Sequence, residues 1–154
     1  MVTASLIART GRAYVRAEQM IDNLQSLFAL GIRLFLAWAF IASALTKVRD
    51  WNITLALFEN EYHVPLLSPA AAAFLGTSAE LGLPLLLLVG FGTRAAALAL
   101  FLFNVVAVVS YPDLSDAGFK DHVLWGALML VLAVYGPGRI SLDRFFRRSI
   151  QAAS

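Results

Sequence analysis

Charged residues are almost absent from the longest apolar part of the sequence. Between Ala70 and Ser110 the ionisable side chains are Glu80 and Arg94 alone. The core of a small soluble protein does not require so long an apolar stretch, whereas a helix that crosses a bilayer needs about 20 apolar residues. The whole chain is 60% hydrophobic and 14% charged, compared with about a quarter charged in typical soluble domains. The sequence therefore predicts an integral membrane protein.

Four segments of this kind are predicted to cross the membrane as α-helices. They cover approximately residues 24–45, 70–89, 95–110 and 122–135. The third segment ends at Tyr111-Pro112 and the fourth at Gly136-Pro137-Gly138, and both sequences end helices. We predict an all-α, integral membrane four-helix bundle over residues 24–138. A cytoplasmic amphipathic segment, 1–23, precedes it, and a basic cytoplasmic tail, 139–154, follows it.

Two further helices are predicted at the membrane surfaces. In the N-terminal segment, apolar residues recur at steps of three and four, which indicates an interfacial amphipathic helix. These residues are Tyr14, Ala17, Ile21, Leu24 and Phe28. A frayed tail is the alternative. Between the first two spans, the same spacing predicts a short helix in the outer interface, ending before Pro65. Its apolar residues are Trp51, Leu55, Phe58 and Tyr62.

The basic residues decide the predicted orientation. Arginines cluster in the N-terminal segment, in the tight turn between the second and third spans, and in the C-terminal tail. They are Arg9, Arg12, Arg16, Arg94, Arg139, Arg144, Arg147 and Arg148. The opposite side has Lys47, Arg49 and Lys120 against a larger number of acidic residues. By the positive-inside rule, both termini are cytoplasmic and the loop at 112–121 is outside.

Three polar residues lie inside predicted spans. Glu80 is about 15 Å into the second span, near the midplane, with Asn104 at comparable depth and Arg33 closer to the cytoplasm. Because ionisable groups are costly in lipid, we predict that these residues face the interior as a buried Arg33–Glu80–Asn104 network. Glu80 could be a proton-coupled catalytic group or half of a structural pair. Arg33 could instead extend to the interface, and Asn104 could join two helices.

A second group of side chains lies at the outer ends of the spans. It consists of Lys47, Tyr111, Asp121, His122 and Trp125. Hydrogen-bond donors above an aromatic interior suit a quinone, whose oxygens accept hydrogen bonds and whose ring stacks on tryptophan. An aromatic belt with charged caps is the alternative. Lys47 and a protonated His122 would repel each other at this distance, so a carboxylate is predicted beside them. The candidates are Glu61, Asp113 and Asp121.

Composition argues against several other kinds of site. The chain has no cysteine, which excludes disulfides, a thiolate nucleophile and Cys-ligated metal centres within it. Its histidines, His63 and His122, lie outside the span centres and lack a pairing motif, so neither haem nor another metal is predicted. The formal charge of +2 is too small to favour a nucleic-acid binder.

Three short motifs follow one another along the spans. Arg33 is followed by Ser43-Ala44-Leu45-Thr46-Lys47, and Glu80-Leu81-Gly82-Leu83-Pro84 continues into Gly90-Phe91-Gly92-Thr93-Arg94-Ala95-Ala96. The third motif is Gly136-Pro137-Gly138-Arg139-Ile140-Ser141-Leu142-Asp143. Over about residues 29–145 this order resembles the DoxX family, small four-span proteins of the bacterial inner membrane. Segments 59–67, 110–113 and 121–126 are similar to a branch encoded beside operons for small metal-stress peptides.

The resemblance implies functions as well as a fold. Some DoxX relatives are membrane subunits of thiosulfate:quinone oxidoreductases, and others associate with thiol-redox or oxidative-stress proteins. The leading expectation is a subunit that passes electrons from a partner protein to membrane quinone, which is not a complete enzyme alone. The alternatives are a non-catalytic anchor or assembly factor for a metal- or oxidative-stress system and, third, a small-solute transporter. Whether the chain forms a homo-oligomer is left open.

Overall fold

All regular structure in the described part of the chain is helical. The computed structural model describes residues 2–153, without the side chains of 2–10, 12, 13, 17, 22, 23, 152 and 153. Its helices are α1 (Val2–Arg49), α2 (Trp51–Asn60), α3 (Pro69–Val89), α4 (Thr93–Ser110), α5 (Asp116–Tyr135) and α6 (Leu142–Ala153). The predicted all-α class is confirmed, and a short helix lies between the first two spans.

Among the described residues, four segments are long and apolar enough to cross a membrane, as predicted. They are Tyr14–Arg49 within α1 and the whole of α3, α4 and α5. Local signals set their ends: the Ser68 side chain accepts the Ala71 N–H at the start of α3, and Gly90 ends the helix in the left-handed conformation, with φ 72°.

Three boundaries differ from the predictions. The N-terminal surface helix is not a separate element, because α1 continues through residue 23 without a proline to stop it. Its predicted apolar face at Ala17, and the basic residues Arg9 and Arg12, lie outside the described side chains. α5 begins at Asp116 rather than near His122, because the preceding serine side chain caps its first turn. The C-terminal tail contains α6, which was not predicted.

The bundle core is made of apolar side chains from all four spans. Leu36 and Phe40 of α1 pack with Leu87 of α3, Leu100 of α4 and Met129 of α5. All of these side chains are buried. The outward faces of the same helices keep large apolar side chains exposed, as contact with lipid tails requires. α1 runs antiparallel to α3, since Arg33 contacts Leu87 whereas Lys47, further along α1, contacts the earlier α3 residue Glu80.

Candidate functional site

Each of the four spans directs a polar side chain into the interior near one end of the bundle. This is the end where α1 finishes, α5 begins and α2 lies, and it is called the α2 end below. The polar cluster consists of Ser43 and Lys47 from α1, Glu80 from α3, Asn104 from α4 and His122 from α5.

Lys47 and Glu80 form a buried ion pair at the centre of the polar cluster. Lys47 Nζ lies 2.6 Å from Glu80 Oε2, and the two side chains are 12% and 10% exposed. Lys47 Nζ also donates to Ser43 Oγ (2.9 Å), and Ser43 Oγ donates to the same carboxylate (3.4 Å). Each charge therefore has an oppositely charged partner and a hydrogen bond, and buried charges need both because they have lost their contact with water.

Side-chain direction explains why Lys47 reaches so deep. Lys47 is near the end of α1, whereas Glu80 is about 16 Å from the start of α3, at about 1.5 Å per residue. Side chains tilt towards the N-terminus of their own helix. In antiparallel helices, Lys47 therefore points into the bundle while Glu80 points towards the α2 end. The two long side chains meet between their backbone positions.

Arg33 belongs to a different structure at the opposite end of α3. Its guanidinium donates to the carbonyl oxygens of Leu87 (2.6 Å) and Leu88 (2.8 Å). It also donates to the carbonyl oxygens of Ile140 (2.6 Å) and Pro137 (3.2 Å). A cation at a helix C-terminus is favourable because the last carbonyls lack helical partners. Arg33 therefore joins α1, α3 and the segment before α6.

The predicted Arg33–Glu80–Asn104 network is consequently wrong in its connections. All three side chains are buried, but Arg33 binds carbonyl oxygens, Glu80 binds Lys47, and Asn104 binds His122. Arg33 is 2% exposed, and its guanidinium lies at the end of α3, bound to carbonyl oxygens. The alternative for Asn104, a hydrogen bond between two helices, is the one observed.

Asn104 holds the His122 ring in one orientation. Asn104 Nδ2 donates to the His122 carbonyl oxygen (3.0 Å), so its Oδ1 is the atom that faces the ring. His122 Nδ1 lies 2.7 Å from that oxygen. Because an amide oxygen only accepts, Nδ1 carries the proton, and Nε2 is the proton-accepting atom of the neutral ring. His122 is thus turned into the bundle rather than towards lipid.

Trp125 connects His122 to α1. The indole ring meets the His122 ring edge-on at 5.0 Å and the Phe40 ring at 5.3 Å. Phe40, Ser43 and Lys47 recur at steps of three and four on α1, so one face of that helix follows the cluster. The charged groups that act electrostatically on His122 are Asp121 and Lys47. Trp125 thus contacts His122 directly, and it also contacts Phe40 on the α1 face that carries Ser43 and Lys47.

The carboxylate beside Lys47 comes from α3 and not from the loops at the α2 end. The structure supplies Glu80 where Glu61, Asp113 or Asp121 was expected. Asp121 is exposed and acts on His122 only electrostatically. Sequence spacing missed this pairing because Glu80 was assigned to a different group.

Tyr111 contributes to an aromatic stack above the polar cluster. Its hydroxyl donates to Glu61 Oε2 (3.0 Å), and its ring stacks on Tyr62 at 4.9 Å, which in turn stacks on Phe58 at 4.7 Å. The hydrogen bond to the Glu61 carboxylate raises the pKa of Tyr111. Burial raises the pKa of Tyr62, and the Glu80 carboxylate adds to this effect. Tyr111 therefore orders the loops at the α2 end and does not itself join the cluster.

Ser43 and Thr77 are members of the region that the sequence predictions did not assign. Ser43 bridges the ion pair, and its position four residues before Lys47 is a signal that could have found it. Thr77 lies one helical turn before Glu80 in α3. Among the described residues, its buried hydroxyl has no hydrogen-bond partner. Buried hydroxyls are normally satisfied, so the Thr77 hydroxyl is an unused hydrogen-bonding group one turn from Glu80.

The C-terminal motif has a structural role at the far end of the bundle. Asp143 Oδ1 accepts the Gly92 N–H (2.7 Å) and Oδ2 accepts the Thr93 N–H (2.9 Å). These bonds cap the start of α4. A Cβ at Gly90, where φ is positive, would lie 2.6 Å from Arg33 Nη2. The motifs at Arg33, 90–96 and 136–143 therefore form one interlocked unit.

Comparison with known proteins agrees with the motifs at Arg33 and at 80–96, whereas the motif at 136–143 lies beyond the matched residues. The profile of the DoxX family matches residues 28–112, more than half of the chain. The chain belongs to the DoxX family. An uncharacterized protein of Haemophilus influenzae (strain Rd) is 32% identical to it over 124 residues, covering 76% of this chain and 82% of the relative. No solved structure matches the chain.

The DoxX match divides the candidate site unevenly. Lys47, Glu80 and Asn104 lie within residues 28–112, whereas His122 and Trp125 lie beyond them. The buried ion pair is thus within the matched DoxX region, and the histidine is added by α5 from outside it. Among the described residues of this DoxX chain, no three metal-ligating side chains cluster.

Proposed function

We propose that this DoxX chain binds a quinone in the polar cluster and serves as the membrane subunit of a quinone-linked redox system. The observations that carry the proposal are the buried Lys47–Glu80 ion pair and the His122 ring, which Asn104 holds against the Trp125 ring. Ionisable groups inside a membrane bundle mark functional sites more often than they serve packing alone. With no cysteine in the chain, a partner protein carrying the redox centre supplies the electrons.

The polar cluster has hydrogen-bonding capacity left for a ligand carbonyl. An ammonium group has three donors, and Lys47 uses two of them, on Glu80 and Ser43. The third remains for a quinone oxygen. The Thr77 hydroxyl is a further buried donor, and the apolar faces of Trp125 and Phe40 suit the quinone ring.

His122 and Glu80 provide the protonic side of the proposal. Reduction of a quinone to a quinol takes up two electrons and two protons. His122 Nε2 accepts a proton while Nδ1 stays bound to Asn104, so the ring keeps its orientation in both charge states. Glu80 Oε2, which accepts from Lys47 and Ser43, is the second group proposed to exchange a proton with the ligand. These are the requirements of general acid–base groups.

Tryptophan fluorescence tests the proposal directly. The chain has three tryptophans, so a Trp38→Phe, Trp51→Phe background leaves Trp125 as the reporter. Titrating this protein in nanodiscs with a short-chain ubiquinone analogue should quench Trp125 saturably. Lys47→Met should weaken binding by about tenfold to a hundredfold, because a hydrogen bond from a charged donor contributes about 1.5–3 kcal/mol. His122→Phe should weaken it about tenfold.

The chain provides matched controls for both substitutions. Its only other lysine is Lys120 and its only other histidine is His63, and both side chains are exposed. Lys120→Met and His63→Phe should bind the analogue within a factor of two of the parent. Unchanged affinity in Lys47→Met and His122→Phe, with both variants folded, would overturn the quinone site.

A second candidate function is a non-catalytic anchor or assembly factor. It is favoured by the same contacts, because Lys47–Glu80 joins α1 to α3 and Asn104–His122 joins α4 to α5, as purely structural links would. Under this hypothesis the variants above lose stability without a change in quinone affinity. Affinity purification of the intact protein would then recover a stress-response partner with no quinone in its lipid extract.

A further inference from the structure

A wide cavity opens at the end of the bundle opposite the polar cluster, called the α6 end below. Its volume is about 1080 Å³, slightly above the usual range for ligand sites of about 300–1,000 Å³. α1 forms one wall, and the start of α4 and the end of α5 form the others. α6 contributes a further part of the lining. The cavity therefore lies where a membrane-spanning bundle meets the lipid head groups.

Arginine dominates the charge of this cavity. Five arginines line it and Asp143 is the one acid among the lining residues. The arginines are Arg94, Arg139, Arg144, Arg147 and Arg148. Asp143 is already engaged, since its two oxygens accept backbone N–H groups at the start of α4. Within the described part of the chain, Arg94, Arg144, Arg147 and Arg148 have no ion-pair partner. The cavity thus has several uncompensated positive charges.

α6 combines this charge with an apolar face. Leu142, Phe145, Phe146 and Ile150 recur at steps of three and four and are exposed, as expected of a helix that inserts one face into the bilayer surface. The arginines of α6 occupy the intervening positions. The cavity walls on α1 and α5 are apolar as well, and include Phe28, Ile32 and Val131.

We infer that the cavity at the α6 end binds the head group of an anionic phospholipid. Its phosphate is held by the arginine fork donors, which match phosphate geometry. Its acyl chains lie along the apolar walls. The combination of uncompensated arginines and an exposed apolar helix face favours a lipid over a soluble phosphate compound, because only a lipid satisfies both surfaces. Basic pockets beside membrane spans characteristically select such head groups.

Native mass spectrometry of the full-length protein released from mild detergent tests this inference. Phosphatidylglycerol and the two-phosphate lipid cardiolipin should remain bound, and zwitterionic phosphatidylcholine should not. Combined Arg144→Gln, Arg147→Gln and Arg148→Gln substitutions should weaken binding of the anionic lipids about a hundredfold, since each arginine near the phosphates contributes a factor of about five. These side chains are exposed, so the bundle should keep its melting temperature.

Single substitutions separate a built site from general attraction to charge. Arg147→Gln should weaken lipid binding about fivefold, whereas Arg16→Gln and Arg49→Gln, which remove exposed arginines outside the cavity, should not. Equal losses from all three, or equal retention of phosphatidylcholine, would overturn the site. Glycerol 3-phosphate provides the soluble comparison: if it competes at the affinity of the lipid, the cavity binds a soluble phosphate compound and the lipid inference is wrong.

Discussion

The Lys47–Glu80 pair predicts a large and non-additive effect on stability. The charges are 2.6 Å apart and both side chains are about nine-tenths buried. At an effective dielectric constant of about 20, charges 2.6–4 Å apart attract by about 4–6 kcal/mol. Removing one partner leaves the other charge buried alone, which costs about 3–5 kcal/mol. Lys47→Met and Glu80→Met should therefore each lower the free energy of unfolding by that amount.

The double variant should recover most of the loss. Replacing a buried ion pair by apolar residues of similar size is often neutral or stabilising, and the Ser43 hydroxyl can turn to a carbonyl of its own helix. We expect Lys47→Met combined with Glu80→Met to lie within about 2 kcal/mol of the parent. If the two losses were independent, they would instead add to about 6–10 kcal/mol.

Unfolding by SDS in mixed micelles, followed by circular dichroism, measures these free energies. Lys120→Met and Glu59→Met are the matched controls, since both side chains are exposed, and each should change stability by less than about 0.5 kcal/mol. Additive losses in the double variant would show that Lys47 and Glu80 do not form a pair. A stable double variant that no longer binds quinone would separate the pair's role in ligand binding from its role in folding.

Three further predictions concern other parts of the chain. Arg33→Lys should lower the free energy of unfolding by about 3 kcal/mol in the same assay, because one ammonium cannot replace a guanidinium that serves four carbonyl oxygens; full stability would contradict the cap. Tyr111 should have a pKa above that of an ordinary tyrosine, because the Glu61 carboxylate stabilises the neutral phenol. A spectrophotometric titration measures this pKa as the component that disappears in Tyr111→Phe. Glu61→Gln should lower the pKa of Tyr111. That contact stabilises the fold below about pH 10 and is lost as pH rises through the raised pKa; an unshifted titration in Glu61→Gln would contradict it. A reporter fused after Ser154 should behave as cytoplasmic, and periplasmic behaviour there would show that the predicted orientation is wrong.

Much of the fold could be predicted because its determinants are local. The four spans follow from apolar length, which the bilayer requires of any crossing helix. The ends of α3 follow from Ser68-Pro69 and Gly90, and the end of α5 from Gly136. The start of α5 was harder to predict, because the serine cap begins the helix before the point at which hydropathy places the span.

The members of the candidate site could be predicted in part, but their pairing could not. Lys47, His122 and Trp125 were assigned together because the topology places the end of the first span beside the start of the fourth. Glu80 was recognised as buried because a carboxylate in the middle of an apolar span cannot face lipid. Its partner Lys47 was not recognised, because the depth of a residue counted along the helix axis ignores the direction and length of its side chain.

Sequence by itself thus determined the number of spans, the short helix after the first span, and which polar residues must turn inward. Tertiary structure alone decided the partners: Glu80 with Lys47, Asn104 with His122, and Arg33 with carbonyl oxygens. The physical reason is that hydropathy and capping act within one segment. Pairing depends on the rotation and relative height of neighbouring helices, which packing of the apolar core sets for all four spans together.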